Sequence, residues 1–338
     1  MIDLLNKCLK KQTLEQVSQK INVSRSTVQR WLELKNVPRH YRFDLMNICG
    51  DKVNYSDYNE TEKDQFFTPI PLAKNCWEKF KEITKTNIDD YFYIEPSAGD
   101  GSFMNVLPPG RTIGLDVEPR FEGVIKADYL NWKPPDDSRK YVVFGNPPFG
   151  LRGHMALRFI NHSLEFADYV CFILPQLFAS DGKGSPMTRI NGYKLLFSEP
   201  IRDQFHMPSG KTTIINGVFQ IWIKHGDDTK NSVQKNTDDR FTVYSLSDGG
   251  TPSSTRNKHM LDKCTFYLPS TCFGEENMKM YKSFNELPNK KGYGVVCHQK
   301  FDFSAIDWKN ICFKSTNSAL NLRTSLIAAA LTGAIDKM

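Results

Sequence analysis

The stretch that most narrows the folds open to this chain is Gly145-Asn146-Pro147-Pro148-Phe149-Gly150, directly after the apolar run Tyr141-Val142-Val143-Phe144. Four apolar residues, β-branched and aromatic, predict a buried strand. The hexapeptide then lies at the carboxyl end of that strand, which is where open α/β sheets bind their ligands. Both prolines have a fixed φ and no N–H, and Pro147 biases Asn146 towards extended backbone. The loop is therefore stiff. The Asn146 amide oxygen and a neighbouring backbone carbonyl can accept two hydrogen bonds from one planar NH2 group. Phe149 can lie against the flat ring that carries it. Taken alone, the tripeptide is also compatible with a plain proline-rich turn.

The preceding segments repeat the same architecture. Tyr91-Phe92-Tyr93-Ile94 predicts a strand that runs into Glu95-Pro96-Ser97-Ala98-Gly99-Asp100-Gly101-Ser102-Phe103. Two glycines among small residues allow a tight turn and close approach of backbone to a ligand. The dinucleotide fingerprint requires a third glycine at position 104, where Met104 stands, and no Gly-Lys-Ser/Thr follows, so neither that motif nor a P-loop is present. Glu95 and Asp100 make the loop acidic, which repels phosphates and suits a cationic ligand bearing an amino acid. A strand over Arg111–Leu115 ends in Asp116, 15 residues past Gly101, where an acid can accept both hydroxyls of a ribose. Another over Gly123–Ala127 ends in Asp128, placed to accept from an adenine amino group. Three carboxylate-bearing strand ends in succession are hard to explain as solvated turns. Upstream, Thr68-Pro69 suits the start of a helix whose inner face is Leu72, Cys76, Trp77 and Phe80.

The N-terminal region is different in kind. Leu14, Val17, Ile21 and Val23 are spaced to pack a helix and its turn inward, and Val28, Trp31 and Leu32 supply the inner face of a second helix. Thr13 and Ser24 predict N-caps, and Thr13 with Gln16 has capping-box spacing. The outward face of the second helix carries Arg25, Ser26, Gln29 and Arg30. This pattern is similar to a helix-turn-helix whose second helix enters the major groove, and Arg and Gln are side chains that read base edges. A helical unit that binds protein, or only caps the larger body, has the same pattern. Residues 1–50 hold nine Lys/Arg against four Asp/Glu, most of the net charge of +6 of the 338-residue chain. Pro38 and the polar stretch 50–64 predict a linker.

Past the hexapeptide, Arg152 and His154 flank the loop. A helix is predicted over Met155–Phe166 and a strand over Tyr169–Leu174. The Gly-rich, basic segment 180–189 carries Lys183 and Arg189, which are either phosphate contacts over the pocket or part of a solvated connection. A helix is predicted near 188–197 and a strand over Val218–Ile223. Residues 241–313 predict short strands between Gly/Pro/Asn turns, and Leu322–Ile335 a closing helix. The eight cysteines are scattered without a Cys-x-x-Cys pair, so neither a zinc site nor a disulfide framework is expected. Reduced thiols predict a cytoplasmic setting, or a nuclear one in a eukaryotic source. No apolar run is long enough to span a bilayer and no signal peptide is seen, so no membrane association is expected.

Phe67-Thr68-Pro69, the run 95–101, Asp116, Asp128 and Asn146-Pro147-Pro148-Phe149 together resemble the S-adenosylmethionine-dependent amino-methyltransferases that act on DNA. Their order resembles the gamma group of adenine-N6 enzymes, and the resemblance covers just under half of the chain. It implies an α/β fold, a Rossmann-like seven-stranded methyltransferase sheet, with S-adenosyl-L-methionine as cofactor and no metal. The implied cofactor residues are Thr68, Pro69, Glu95, Pro96, Ser97, Ala98, Gly99, Asp100, Gly101, Phe103, Asp116, Val117, Asp128 and Tyr129. The implied catalytic residues are Asn146, Pro147, Pro148 and Phe149, acting on an adenine flipped out of double-stranded DNA. Arg25, Ser26, Gln29, Arg30, Arg152, Lys183 and Arg189 are the candidate DNA contacts. The expected division is a helix-turn-helix domain over 1–48, a linker over 49–64, the methyltransferase domain over 65–225, and a small α+β target-recognition region over 241–338. A cognate restriction enzyme or another protein partner is left open. The alternatives are RNA adenine-N6 or DNA cytosine-N4 methylation, or a non-catalytic DNA-binding regulator on a methyltransferase-like body.

Overall fold

The computed structural model describes residues 1–21, 23–51, 65–150, 153–180, 185–226, 231, 238–249, 255–314 and 319–336. Arg152, Lys183 and most of the expected linker (52–64) lie outside the described residues.

Four short helices open the chain: α1 (Ile2–Leu9), α2 (Leu14–Lys20), α3 (Arg25–Glu33) and α4 (Arg42–Cys49). The caps are those the sequence predicts. Thr13 accepts from the Gln16 N–H at 3.2 Å while the Gln16 side chain accepts from the Thr13 N–H at 2.9 Å. Ser24 accepts from the Thr27 N–H at 3.1 Å at the start of α3. Leu5, Val17, Ile21, Val28, Trp31, Leu45 and Cys49 form one apolar cluster. The expectation that Pro38 opens a linker is corrected: Pro38 precedes a 3-10 turn at Arg39–Tyr41 that leads into α4, and α4 fills the same cluster. Its apolar residues are interrupted by Asp44, which hides the helix in the sequence. Cys8 and Cys49, far apart in sequence, bring their sulfurs to 2.6 Å as buried thiols.

The body is a seven-stranded sheet: β1 (Tyr91–Glu95), β2 (Thr112–Asp116), β3 (Ile125–Lys126), β4 (Lys140–Gly145), β5 (Ala167–Pro175), β6 (Tyr193–His206) and β7 (Thr212–Lys224). Its order is β3-β2-β1-β4-β5-β7-β6. The first five strands are parallel, and β7 runs antiparallel between β5 and β6. This is the Rossmann-like methyltransferase sheet. The order reverses between β1 and β4, so their carboxyl ends open a crevice at the switch point. Both faces are covered. α5 (Ile70–Thr84) packs Leu72, Cys76, Trp77 and Phe80 against Tyr93 and Phe144, and α6 (His154–Ser163) packs Leu157 and Ile160 against Val143 and Phe172. Strands covered on both sides read as unbroken apolar runs, as Tyr141–Phe144 does.

The helix expected near 188–197 is not formed. A 3-10 turn at Pro186–Arg189 is followed by β6 from Tyr193. In β6 the run Leu195-Leu196-Phe197 falls on a register shift, which masks the two-residue alternation. Pro200 is tolerated because β6 lies at the sheet edge.

Beyond the body, β8 (Phe241–Ser247), β9 (Phe266–Pro269) and β11 (Lys291–Cys297) form a sheet of order β8-β11-β9. The short strands β10 (Thr271–Cys272), β12 (Phe313–Lys314) and β13 (Leu320–Asn321) form another. With α7 (Trp308–Ile311) and α8 (Thr324–Ile335) they close around Phe266, Trp308, Ile327 and Leu331. This is the α+β character expected. No helix among the described residues is long and apolar enough to cross a membrane.

Candidate active site

The carboxyl ends of β1, β2 and β4 meet in one cleft of about 1220 Å³. Pro96, Ser97, Gly99, Asp116, Val117, Asp128, Tyr129, Asn146 and Pro148 line it.

The loop after β1 is fastened on both sides. The Ser97 hydroxyl donates to the Asn146 carbonyl at 3.0 Å, and the Ala98 N–H donates to the Leu115 carbonyl at 2.8 Å. The Gly99 N–H donates to Asp116 Oδ2 at 2.8 Å, and the Glu118 N–H to Asp116 Oδ1 at 2.7 Å. Each Asp116 oxygen thus holds one backbone donor and keeps a lone pair for a ligand. Gly99 and Gly101 have φ of +53° and +88°, and a Cβ at either would strike the Phe67 or Phe121 ring, at 2.9 and 2.1 Å. Both glycines are required by conformation and by space.

Glu95 is 1% exposed. Burial holds its carboxyl well above the usual range, opposed by the Ser97 N–H and reinforced by the Asp116 charge. The carboxyl occupies the space a side chain at Gly145 would need: a Cβ there would lie 2.2 Å from Glu95 Oε1. The glycine that opens the hexapeptide therefore makes room for the acid of the neighbouring strand.

Asn146 is held asymmetrically. Its Nδ2 donates to the Phe66 carbonyl at 2.9 Å. Its Oδ1 is buried and has no hydrogen-bond partner among the described residues. A buried amide oxygen left unmet costs roughly 1–3 kcal/mol, so the site retains an acceptor that the fold itself does not satisfy. Phe66 lies 80 residues upstream in the segment preceding Thr68-Pro69. That links the two halves of the motif set.

Other expected residues are placed differently. Thr68 is buried next to Phe67, which forms an isolated bridge with His206, and Pro69 caps α5. Asp100 accepts from Ser102 and lies 2.7 Å from His206 Nε2 on β6, so its carboxylate is engaged within the protein. Glu95, Ala98, Asp100, Gly101 and Phe103 support the loop without lining the cleft. Asp128 accepts from the Leu130 N–H and from Asn131. The Tyr129 hydroxyl shares a hydrogen bond with Ser163 at 2.7 Å, and the residue lines the cleft. Pro147 is buried, and Phe149 is half-buried against the core rather than lining the cleft.

Arg25, Ser26, Gln29 and Arg30 are exposed on α3, away from the cleft. Arg189 is half-buried, and burial lowers the pKa of its guanidinium. His154 does not serve the cleft chemistry. Its Nε2 lies 2.7 Å from Asp44 Oδ2, and Arg158 pairs with the other Asp44 oxygen. Asp44 is 2% exposed. This cluster docks the helical unit beside the hexapeptide.

Several cleft residues escaped the sequence reading. Gln65 donates to Glu118 at 2.8 Å, and its Oε1 is buried without a partner among the described residues. Arg39 and Arg42 approach from the helical unit, and Arg120 from the loop after β2. The excess of Lys/Arg in residues 1–50 was the only sequence signal for the first two. Among the described residues no group of three or more His, Cys, Asp or Glu is placed to hold a metal.

No family model and no curated protein matches the chain. Several solved structures are similar to part of it. One, a Pyrococcus horikoshii protein assigned as an RNA methyltransferase, is 16% identical over 51% of this chain and 93% of its own, with a TM-score of 0.37. A Thermoplasma acidophilum protein is 16% identical over 46% of this chain and 85% of its own, at 0.30. An S-adenosylmethionine-dependent methyltransferase from Anabaena variabilis is 11% identical over 48% of this chain and 97% of its own, at 0.24. Similarities of that size add nothing to what the strand order already establishes.

Proposed function

We propose that this chain is an S-adenosylmethionine-dependent DNA methyltransferase that modifies N6 of an adenine flipped out of the duplex. The observation that carries the reading is the Asn146 amide, whose nitrogen is fixed by Phe66 while its oxygen is buried and unmet.

The cleft fits the cofactor. Glycines whose side-chain space is filled by neighbouring rings, a floor that carries Asp116 and Asp128, and room of about 1220 Å³ suit a cationic nucleoside together with a base. S-adenosylmethionine supplies a methyl group on a positively charged sulfur. Asp116 is placed to accept ribose hydroxyls and Asp128 an adenine amino group. Glu95, buried behind the loop, supplies negative charge when a cation enters.

The remaining requirement is a reactive nitrogen. The N6 lone pair of adenine is delocalised into its ring. Asn146 Oδ1 and the Pro147 carbonyl form the acceptor pair that draws both N6 hydrogens out of the favoured geometry, localising the lone pair. S-adenosylmethionine held there would supply the methyl carbon and keep the carbon–sulfur electron pair on its sulfur, while Asn146 and Pro147 would hold the N6 that accepts the methyl group and gives up a proton to solvent. Preorganised acceptors of this kind contribute on the order of 3–4 kcal/mol. Exposed Arg25, Ser26, Gln29 and Arg30 on α3 are the groups proposed to read the duplex.

Asn146→Ala should bind S-adenosylmethionine within about twofold of wild type and lose about a hundred- to a thousandfold in transfer, the scale of a removed oxyanion-type contact. Mass analysis of a DNA duplex, an RNA of the same sequence and a protein pool, each incubated with labelled cofactor, checks the activity. Methyl transfer in the variant at near wild-type rate overturns the role of Asn146. Label on RNA or protein alone overturns the DNA assignment, and no label on any substrate favours a regulator.

A further inference from the structure

The cleft has two walls from different parts of the chain. Among the described residues the body wall is acidic, with Asp116, Glu118 and Asp128, and carries Arg120. The opposite wall comes from α1, the 3-10 turn and α4, and carries Arg39 and Arg42. Among the described residues that wall also holds Asp3 and Asp51, but Asp51 is met by Lys7 at 2.5 Å, so its described part is net positive. Arg39 and Arg42 are exposed, whereas Asp44, two residues further on, is buried and fixed by His154 and Arg158. The buried anchor therefore sets where these two guanidiniums stand relative to Asn146.

We propose that Arg39 and Arg42, with Arg120 across the cleft, clamp the phosphodiester groups flanking the target nucleotide. The helical unit then engages nucleic acid through two faces, α3 towards the duplex and the Arg39–Arg42 turn towards the extruded strand. The chemistry supports the division. A cationic cofactor belongs on the acidic wall, a neutral base fills the middle, and the phosphates meet guanidiniums, whose planar donors match phosphate oxygens in pairs. The inference rests on the proposed function for its substrate class.

The test is a salt titration of binding to one adenine-containing DNA duplex by the full chain without cofactor, comparing wild type with Arg39→Gln/Arg42→Gln. Loss of two phosphate contacts should weaken binding roughly a hundredfold at low salt and make the slope of log K against log salt shallower by about 2. Both positions are exposed, so the melting temperature of the ligand-free chain should stay at the wild-type value and report an intact fold. Replacing the phosphates beside the target adenine with neutral methylphosphonates should weaken wild type and leave the double variant almost unaffected. Wild-type affinity and slope in the variant, or additive losses from variant and methylphosphonate, overturn the clamp. If wild type transfers no methyl group yet the non-additivity holds, the catalytic reading fails and the clamp stands. If transfer occurs and the losses add, the reverse is true.

Discussion

Glu95 and Gly145 show how one pair of residues sets opposing demands. A carboxyl buried to this degree is held neutral well above its ordinary value of 4.5. The folded protein then binds more protons at this group than the unfolded chain does, so its contribution to stability falls as pH rises from about 4.5 towards the raised folded value. Glu95→Gln should therefore flatten the loss of thermal stability above that pH, read from melting temperatures of the ligand-free protein across a pH series. The same variant should bind S-adenosylmethionine at least tenfold more weakly, because one pKa unit of charge stabilisation is worth about 1.4 kcal/mol. Wild-type affinity should rise with pH, since a cation entering beside Glu95 favours its ionised form and releases a proton. Calorimetry in buffers of different ionisation enthalpy measures that proton. Gly145→Ala should act on the same acid from the other side. Its methyl group would displace the carboxyl, costing about 1–3 kcal/mol as overpacking does, with cofactor affinity falling further than stability.

Among the elements, α4 is the one whose importance the sequence concealed. Its Asp44 looks like an interruption of an apolar stretch, and its partners lie 110 and 114 residues away. Removing one member of a buried charge cluster costs about 3–5 kcal/mol. Arg158 keeps 24% of its side-chain surface in water, which places Asp44→Ala towards the lower end. Hydrogen exchange should show α1 and α4 losing protection in this variant while β4 and β5 keep theirs. By contrast the caps were plainly legible, since capping depends on residues three apart. Thr13→Ala should cost about 1 kcal/mol in denaturant titration. The strands β1, β2 and β4 were legible for the same local reason, each being a mainly apolar run that ends in Glu95, Asp116 or, one residue on, Asn146. What escaped was non-local: the Phe66 carbonyl that orients Asn146, the guanidiniums facing the cleft, and β6, where a register shift and Pro200 disguise a long edge strand. Asp100 and Phe149 were legible as motif positions, but not their engagement with His206 and the core.

On the scale of the whole molecule, no single segment owns the cleft. Met1 and Met46 face it from the helical unit, and Ser97 and Pro148 from the sheet. A ligand touching both sides binds the assembled arrangement more tightly than the separated one. Thermodynamic reciprocity then applies: whatever factor separation of the helical unit takes from ligand affinity, the ligand returns as tighter docking. Saturating S-adenosylmethionine and duplex DNA together should slow amide exchange in α1 and α4, and Asp44→Ala should raise the dissociation constant by a matching factor. The roof of the reaction chamber would thus act as a gauge of its contents, and the α3 surface borne on that roof would meet DNA with an affinity that depends on whether the chamber is filled.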